Sequence, residues 1–128
     1  MSSTGECFDI GGATREALER FEKTGEPYVG SRDPKRAGNG SIMRLAPVPL
    51  FYARGPLGSS EGERGVEAIE RCGESSKTTH GAENCVDACR YLGGLIIGAV
   101  NGAGKEELLR EGYCPVASYF AGRPLSEG

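Results

Sequence analysis

Chemistry in this chain concentrates at a few places. The first is Gly38-Asn39-Gly40-Ser41-Ile42-Met43-Arg44-Leu45-Ala46-Pro47. Glycines on either side of an asparagine let a ligand approach the backbone, because no side chain stands in the way. Ser41 has the type of a helix N-cap, and a helix N-terminus offers free N–H groups and the positive end of a dipole. Such a loop suits an anion, a phosphate above all. Arg44, one turn on, would add a fixed positive charge. The same residues also read as a Gly-Asn-Gly turn entering a capped core helix, with Arg44 in a surface or interhelical salt bridge and Met43 in the core.

His80 is the only histidine. It lies in Ser75-Ser76-Lys77-Thr78-Thr79-His80-Gly81, before a strongly apolar segment. It reads either as a ligand contact or as a structural residue at a helix entrance. Asp9 stands between Phe8 and Ile10. A carboxylate among apolar neighbours needs a partner if buried, and a turn or cap role is the alternative. Cys85 and Cys89 share a helix face, with Cys72 and His80 near in sequence. Zinc is one reading of that set, but the spacing departs from the usual two-residue gap, and buried core thiols fit better.

Helices must position these groups. Residues 14–23 predict a short helix with Ala17, Leu18 and Phe21 on one face and Gly25 as its stop. Residues 26–40 read as a long loop of the functional kind. Residues 41–53 predict an apolar helix, which Pro47 and Pro49 must either kink or break near Ala46. Residues 63–74 follow, with Val66, Ile69 and Cys72 at helical spacing. Residues 82–100 form the best apolar stripe, in which Gly93, Gly94 and Gly98 admit a close neighbour. A short helix is expected over 105–110, and no pattern from Tyr113 on. No strand alternation and no repeat stand out. The expected fold is all-α, an orthogonal, bundle-like domain of about five helices spanning 1–128.

Composition sets the outer bounds. With 128 residues, 38% hydrophobic and no Trp, a single modest core must rest on aliphatics, Tyr and Phe. A net charge of −3 without a basic face argues against nucleic acid as the main partner. The apolar run over 92–100 is too short to span a bilayer. Five cysteines and no signal-peptide pattern point to reduced thiols in the cytoplasm.

The order Phe8-Asp9-Ile10-Gly11, then Gly38-Asn39-Gly40-Ser41-Ile42-Met43-Arg44-Leu45-Ala46-Pro47, then Thr79-His80 resembles the ADP-ribosylglycohydrolase family, which includes dinitrogenase-reductase-activating glycohydrolases and ADP-ribosyl-acceptor hydrolases. The resemblance runs from about Ser3 to about Val100. It implies a partial version of that helical fold. It also implies an ADP-ribose site contacted by Gly38, Asn39, Gly40, Ser41, Met43, Arg44 and His80, with Asp9 near the scissile bond. Many relatives carry Asn-Thr-Thr after the first motif, where this chain has Gly12-Ala13-Thr14, and a proline soon after the Thr-His pair, where it has Gly81-Ala82-Glu83.

The family's chemistry is magnesium-assisted cleavage of a glycosidic bond to ADP-ribose, the metals being held by a Thr-Asp-Asp-type and an Asp-x-Asp-Thr-type motif. Neither is present: the aspartates are Asp9, Asp33 and Asp87, none close to another in sequence. The chain therefore resembles the family's central segment. It is expected to bind no metal alone and to turn over little or nothing. A homo-oligomer or a complementary fragment is expected to cover its apolar faces. A non-catalytic ADP-ribose- or nucleotide-binding module, or a helical interaction unit, is the alternative.

Overall fold

A computed structural model describes residues 10–53, 61–116 and 119–126. Six α-helices order the described residues: α1 (Gly12–Thr24), α2 (Gly40–Met43), α3 (Pro47–Tyr52), α4 (Glu61–Lys77), α5 (Glu83–Val100) and α6 (Lys105–Leu108). A single 3₁₀ turn, Pro34–Arg36, precedes α2, and the only β element among them is an isolated parallel bridge between Ser31 and His80. The fold is all-α. None of the described helices is long and apolar enough to cross a membrane.

The two longest helices form an antiparallel hairpin. Cys72 of α4 meets Gly93 of α5, and Ile69, one turn earlier, meets Gly94, one position later. A Cβ built on Gly93 would lie 2.5 Å from Cys72 Sγ, so glycine is what lets the helices approach there. Leu45, Cys72 and Cys89 form one fully buried cluster, flanked by Ile42, Val48 and Leu92. Ala68, Ile69 and Ile97 form a second, against Tyr52, Cys114, Val116 and Tyr119. The apolar stripe expected over 82–100 ends on Ala99 and Val100, yet both are exposed, and the glycines with Ile97 take the contact.

The helix expected over 41–53 is two helices. The chain breaks at residues 44–46, and Pro47 and Pro49 then sit in the first turn of α3, where a missing N–H costs nothing. Helix α4 runs on to Lys77, past the expected end at residue 74. Helix α1 stops at Gly25, whose φ of 71° is left-handed and whose N–H reaches Phe21 O at 2.8 Å. Only Ala17 of its apolar face is buried; Leu18 and Phe21 remain half exposed.

The segment after Tyr113, expected to be patternless, packs back onto the hairpin. Tyr119 Oη donates to Glu70 Oε1 at 2.6 Å, and Arg90 and Arg123 also pair with Glu70. Ser126 N donates to Asp87 Oδ2 at 2.8 Å.

Candidate functional site

The long loop over 26–40 is held by its ends. Gly30 N donates to Lys77 O at 3.0 Å, and Gly81 N donates to Ser31 O at 2.9 Å, which makes the bridge to His80. A Cβ on Gly30 would come within 2.6 Å of the Thr79 and His80 backbone, so the two strands of chain cross in direct contact. Asp33 Oδ1 then accepts from Lys35 N at 3.0 Å and starts the 3₁₀ turn that leads into residues 38–40.

Those residues close one wall of a cavity of about 400 Å³. The entry to α1, residues 11–14, lines it too, with the exposed Met43 and the buried His80. Among the described residues that line it none is acidic. None of the N–H groups of Gly38, Asn39, Gly40 and Ser41 has a partner among the described residues.

His80 is buried, and its ring lies against the glycine loop. A Cβ built on Gly40 would stand 2.8 Å from its Cε1 and 3.1 Å from Nε2, whereas one on Gly38 would stand 3.6 Å from Nε2. On the other side of the ring, Nδ1 is 2.9 Å from Thr79 Oγ1. The backbone N of His80 donates to Ser76 O at 2.7 Å, and Ser76 Oγ donates to His80 O at 2.8 Å. Burial, and then the nearby Arg44 guanidinium, lower the His80 pKa below its ordinary 6.5.

Ser41 is not the N-cap. Asn39 occupies that position, without a side-chain cap bond, and Ser41 lies inside α2. Its hydroxyl is buried beneath the loop, 3.0 Å from Ser76 Oγ and 3.4 Å from Cys89 Sγ, which donates to it. Cys85 Sγ donates weakly to Gly38 O at 3.5 Å. The thiols thus support the loop from below. Burial, with Cys89 adding to it, pushes the Cys72 thiol up to about 12.

Arg44 turns toward the end of α4. Its Nη2 shares two N–H donors among Ser75 O at 2.8 Å, Thr78 Oγ1 at 2.8 Å and Thr79 Oγ1 at 2.9 Å, and its Nη1 donates to Ser75 Oγ at 3.2 Å. It satisfies a last-turn carbonyl and complements the negative end of that helix. Met43 lines the cavity and is 78% exposed, so the core reading does not hold. Asp9 lies outside the described residues.

The cavity therefore brings together Gly38, Asn39, Gly40, Met43 and His80, and sets Ser41 and Arg44 behind the wall. Sequence reasoning missed Thr79 and Ser76. The one available signal was Ser76 continuing the 69–72 spacing of α4 by a further turn. Among the described residues no three of His, Cys, Asp and Glu gather to hold a metal, which removes the zinc reading of Cys72, His80, Cys85 and Cys89. Magnesium is not fitted by these residues either: Asp33 caps the 3₁₀ turn, and Asp87 pairs with Arg90 and with Ser126 N. The described residues offer peptide N–H groups and one imidazole to a polar ligand.

The ADP-ribosylglycohydrolase family profile matches residues 1–126. An ADP-ribosylarginine hydrolase Tri1 of Pseudomonas putida (strain GB-1) is 44% identical over 124 residues, which is 97% of this chain and 30% of that protein. A second protein of the same name, from Serratia proteamaculans (strain 568), is 33% identical over 106 residues, 83% of this chain and 26% of its own length. The chain thus spans less than a third of the length of either relative.

Proposed function

The chain belongs to the ADP-ribosylglycohydrolase family, and from that premise we propose that its cavity receives the ADP-ribosyl group of an ADP-ribosylated substrate. The named activity of both relatives favours ADP-ribosylarginine as that substrate. The observation that carries the reading is the glycine loop closed against the buried His80 ring at a cavity. Backbone N–H groups of residues 38–40 would meet the diphosphate, His80 a ribose or phosphate oxygen, and Met43 an apolar face of the ligand. Asp9 is kept as the candidate group near the scissile bond.

The sequence holds neither a Thr-Asp-Asp-type nor an Asp-x-Asp-Thr-type motif, so the chain alone is expected to bind without turnover. The same observation favours a second reading, a non-catalytic ADP-ribose-binding module. Calorimetric titration of ADP-ribose, with and without magnesium, tests the pocket. An assay for ADP-ribose release from ADP-ribosylated arginine, with magnesium present, tests turnover. Absence of binding under both conditions defeats the proposal, and release by the purified chain defeats the expectation of inactivity.

Exposed apolar side chains on α1 and α3 support pairing with a second copy or a complementary fragment: Leu18 is 49%, Phe21 48%, Leu50 47% and Phe51 74% exposed. A monomer by light scattering at high dilution, with a cooperative melt, counts against it. Free buried thiols at Cys72, Cys85 and Cys89 support the cytoplasmic setting expected from the sequence.

A further inference from the structure

We infer that Thr79 and Arg44 are positioning residues, which hold His80 as the Nε2–H tautomer and present that N–H to the cavity as a fixed donor. The inference rests on the proposed ADP-ribosyl pocket for its purpose, but its chemistry is independent of any ligand. Arginine has donors only. Its Nη2 reaches Thr79 Oγ1 at 2.9 Å, so the Thr79 oxygen uses a lone pair on Arg44. The same oxygen stands 2.9 Å from His80 Nδ1. A hydroxyl keeps a second lone pair and one proton; Thr79 is buried, and His80 Nδ1 is the acceptor that its proton meets among the described residues, so the proton goes there rather than staying unpaired. Nδ1 is then the acceptor, and the neutral ring must carry its hydrogen on Nε2.

Nε2 is the ring atom on the side of the glycine loop, as the short approaches from Gly38 and Gly40 require. The main chain of His80 is fixed separately, through Ser76 and the bridge to Ser31. Burial and the Arg44 charge both disfavour the imidazolium, which agrees with a ring kept neutral. Arg44 itself is anchored by Ser75 and Thr78, so the direction of the whole relay is set by contacts at the end of α4.

The test uses the 128-residue chain, whose single histidine gives one set of imidazole nitrogen resonances. In the parent, Nδ1 is expected at the shift of an unprotonated nitrogen and Nε2 at that of a protonated one. Thr79→Val removes the hydroxyl, and Arg44→Gln removes the cation, with a thermal melt of each variant to show that it is folded. In both, the two nitrogen shifts should move toward the average of exchanging tautomers, and ADP-ribose affinity should fall by up to about 10-fold. Thr79→Ser should restore both. Averaged shifts in the parent, or parent-like shifts in both variants, overturn the inference. Weaker binding by Arg44→Gln with an unchanged tautomer also overturns it and assigns Arg44 to the ligand directly. If the parent binds no ADP-ribose, the proposed function fails while the nitrogen shifts still decide the tautomer.

Discussion

Gly40→Ala puts the proposed pocket under the most direct strain. The added Cβ would stand 2.8 Å from His80 Cε1 and 3.1 Å from Nε2. Carbon atoms in contact settle at about 3.5–4.0 Å, so either the ring or the loop must yield by roughly 1 Å. The ring has little room, because Thr79 holds Nδ1 at 2.9 Å on its other side. The backbone accepts alanine, since Gly40 is helical and is not among the glycines with positive φ. Overpacking costs about 1–3 kcal/mol, and alanine returns about 1 kcal/mol of helix propensity, so stability should fall by no more than about 2 kcal/mol. Binding should suffer separately: losing one aligned donor is worth about 1 kcal/mol, a several-fold weakening. Gly38→Ala is the control for the stability cost alone, because its Cβ meets Nε2 at 3.6 Å, an ordinary contact that leaves the ring in place. Calorimetry with ADP-ribose and thermal melts of the parent and both variants give the comparison. Equal affinity of Gly40→Ala and the parent would refute the placement of His80 at the ligand.

Three further outcomes follow from the same geometry. Ser76→Ala removes a hydroxyl buried against Ser41 and His80 O, and should cost about 1–3 kcal/mol in urea unfolding. Leu45→Ala empties a site that is 0% exposed between Cys72 and Cys89, and should cost about 2–5 kcal/mol by the same measurement. The lowered His80 pKa makes the folded state bind protons less readily than the unfolded chain. Its contribution to stability is therefore present above pH 6.5 and lost as pH falls through the lowered value. A His80→Gln variant should show a flatter stability profile across that window, and an identical slope would contradict the assignment.

The helices were legible where one face alone decides burial. The stripe on α4 located Ile69 and Cys72, both fully buried, and Gly25 marked the end of α1. The close approach at Gly93, Gly94 and Gly98 was legible too, whereas the exposure of Ala99 and Val100 at the end of the apolar stripe was not, because those glycines and Ile97 carry the contact. Pro47 and Pro49 were legible as a break near Ala46, where the chain does stop and restart, although their place in the first turn of α3 was not. At the site, the glycine loop and His80 were visible from their types and order. The inward burial of Ser41 and the turn of Arg44 toward Ser75, Thr78 and Thr79 were not, because each depends on partners more than 30 residues away that no local pattern encodes.

The bridge between Ser31 and His80 has a consequence for the order of folding. The α4–α5 hairpin closes over a five-residue link and joins neighbours in sequence, whereas the cavity needs residues 11–14 and 38–40 to find His80 across a much longer loop. Contacts of long sequence separation form after those that reward early closure. The hairpin should therefore be the nucleus, with the pocket assembled on its finished surface. Gly93→Ala, at the hairpin seam, should slow refolding, while Gly40→Ala should leave the refolding rate almost unchanged and express its cost in unfolding, as stopped-flow kinetics of the two variants would reveal. A pocket built last is also opened first, so amide exchange through residues 30–40 should run ahead of exchange in the hairpin.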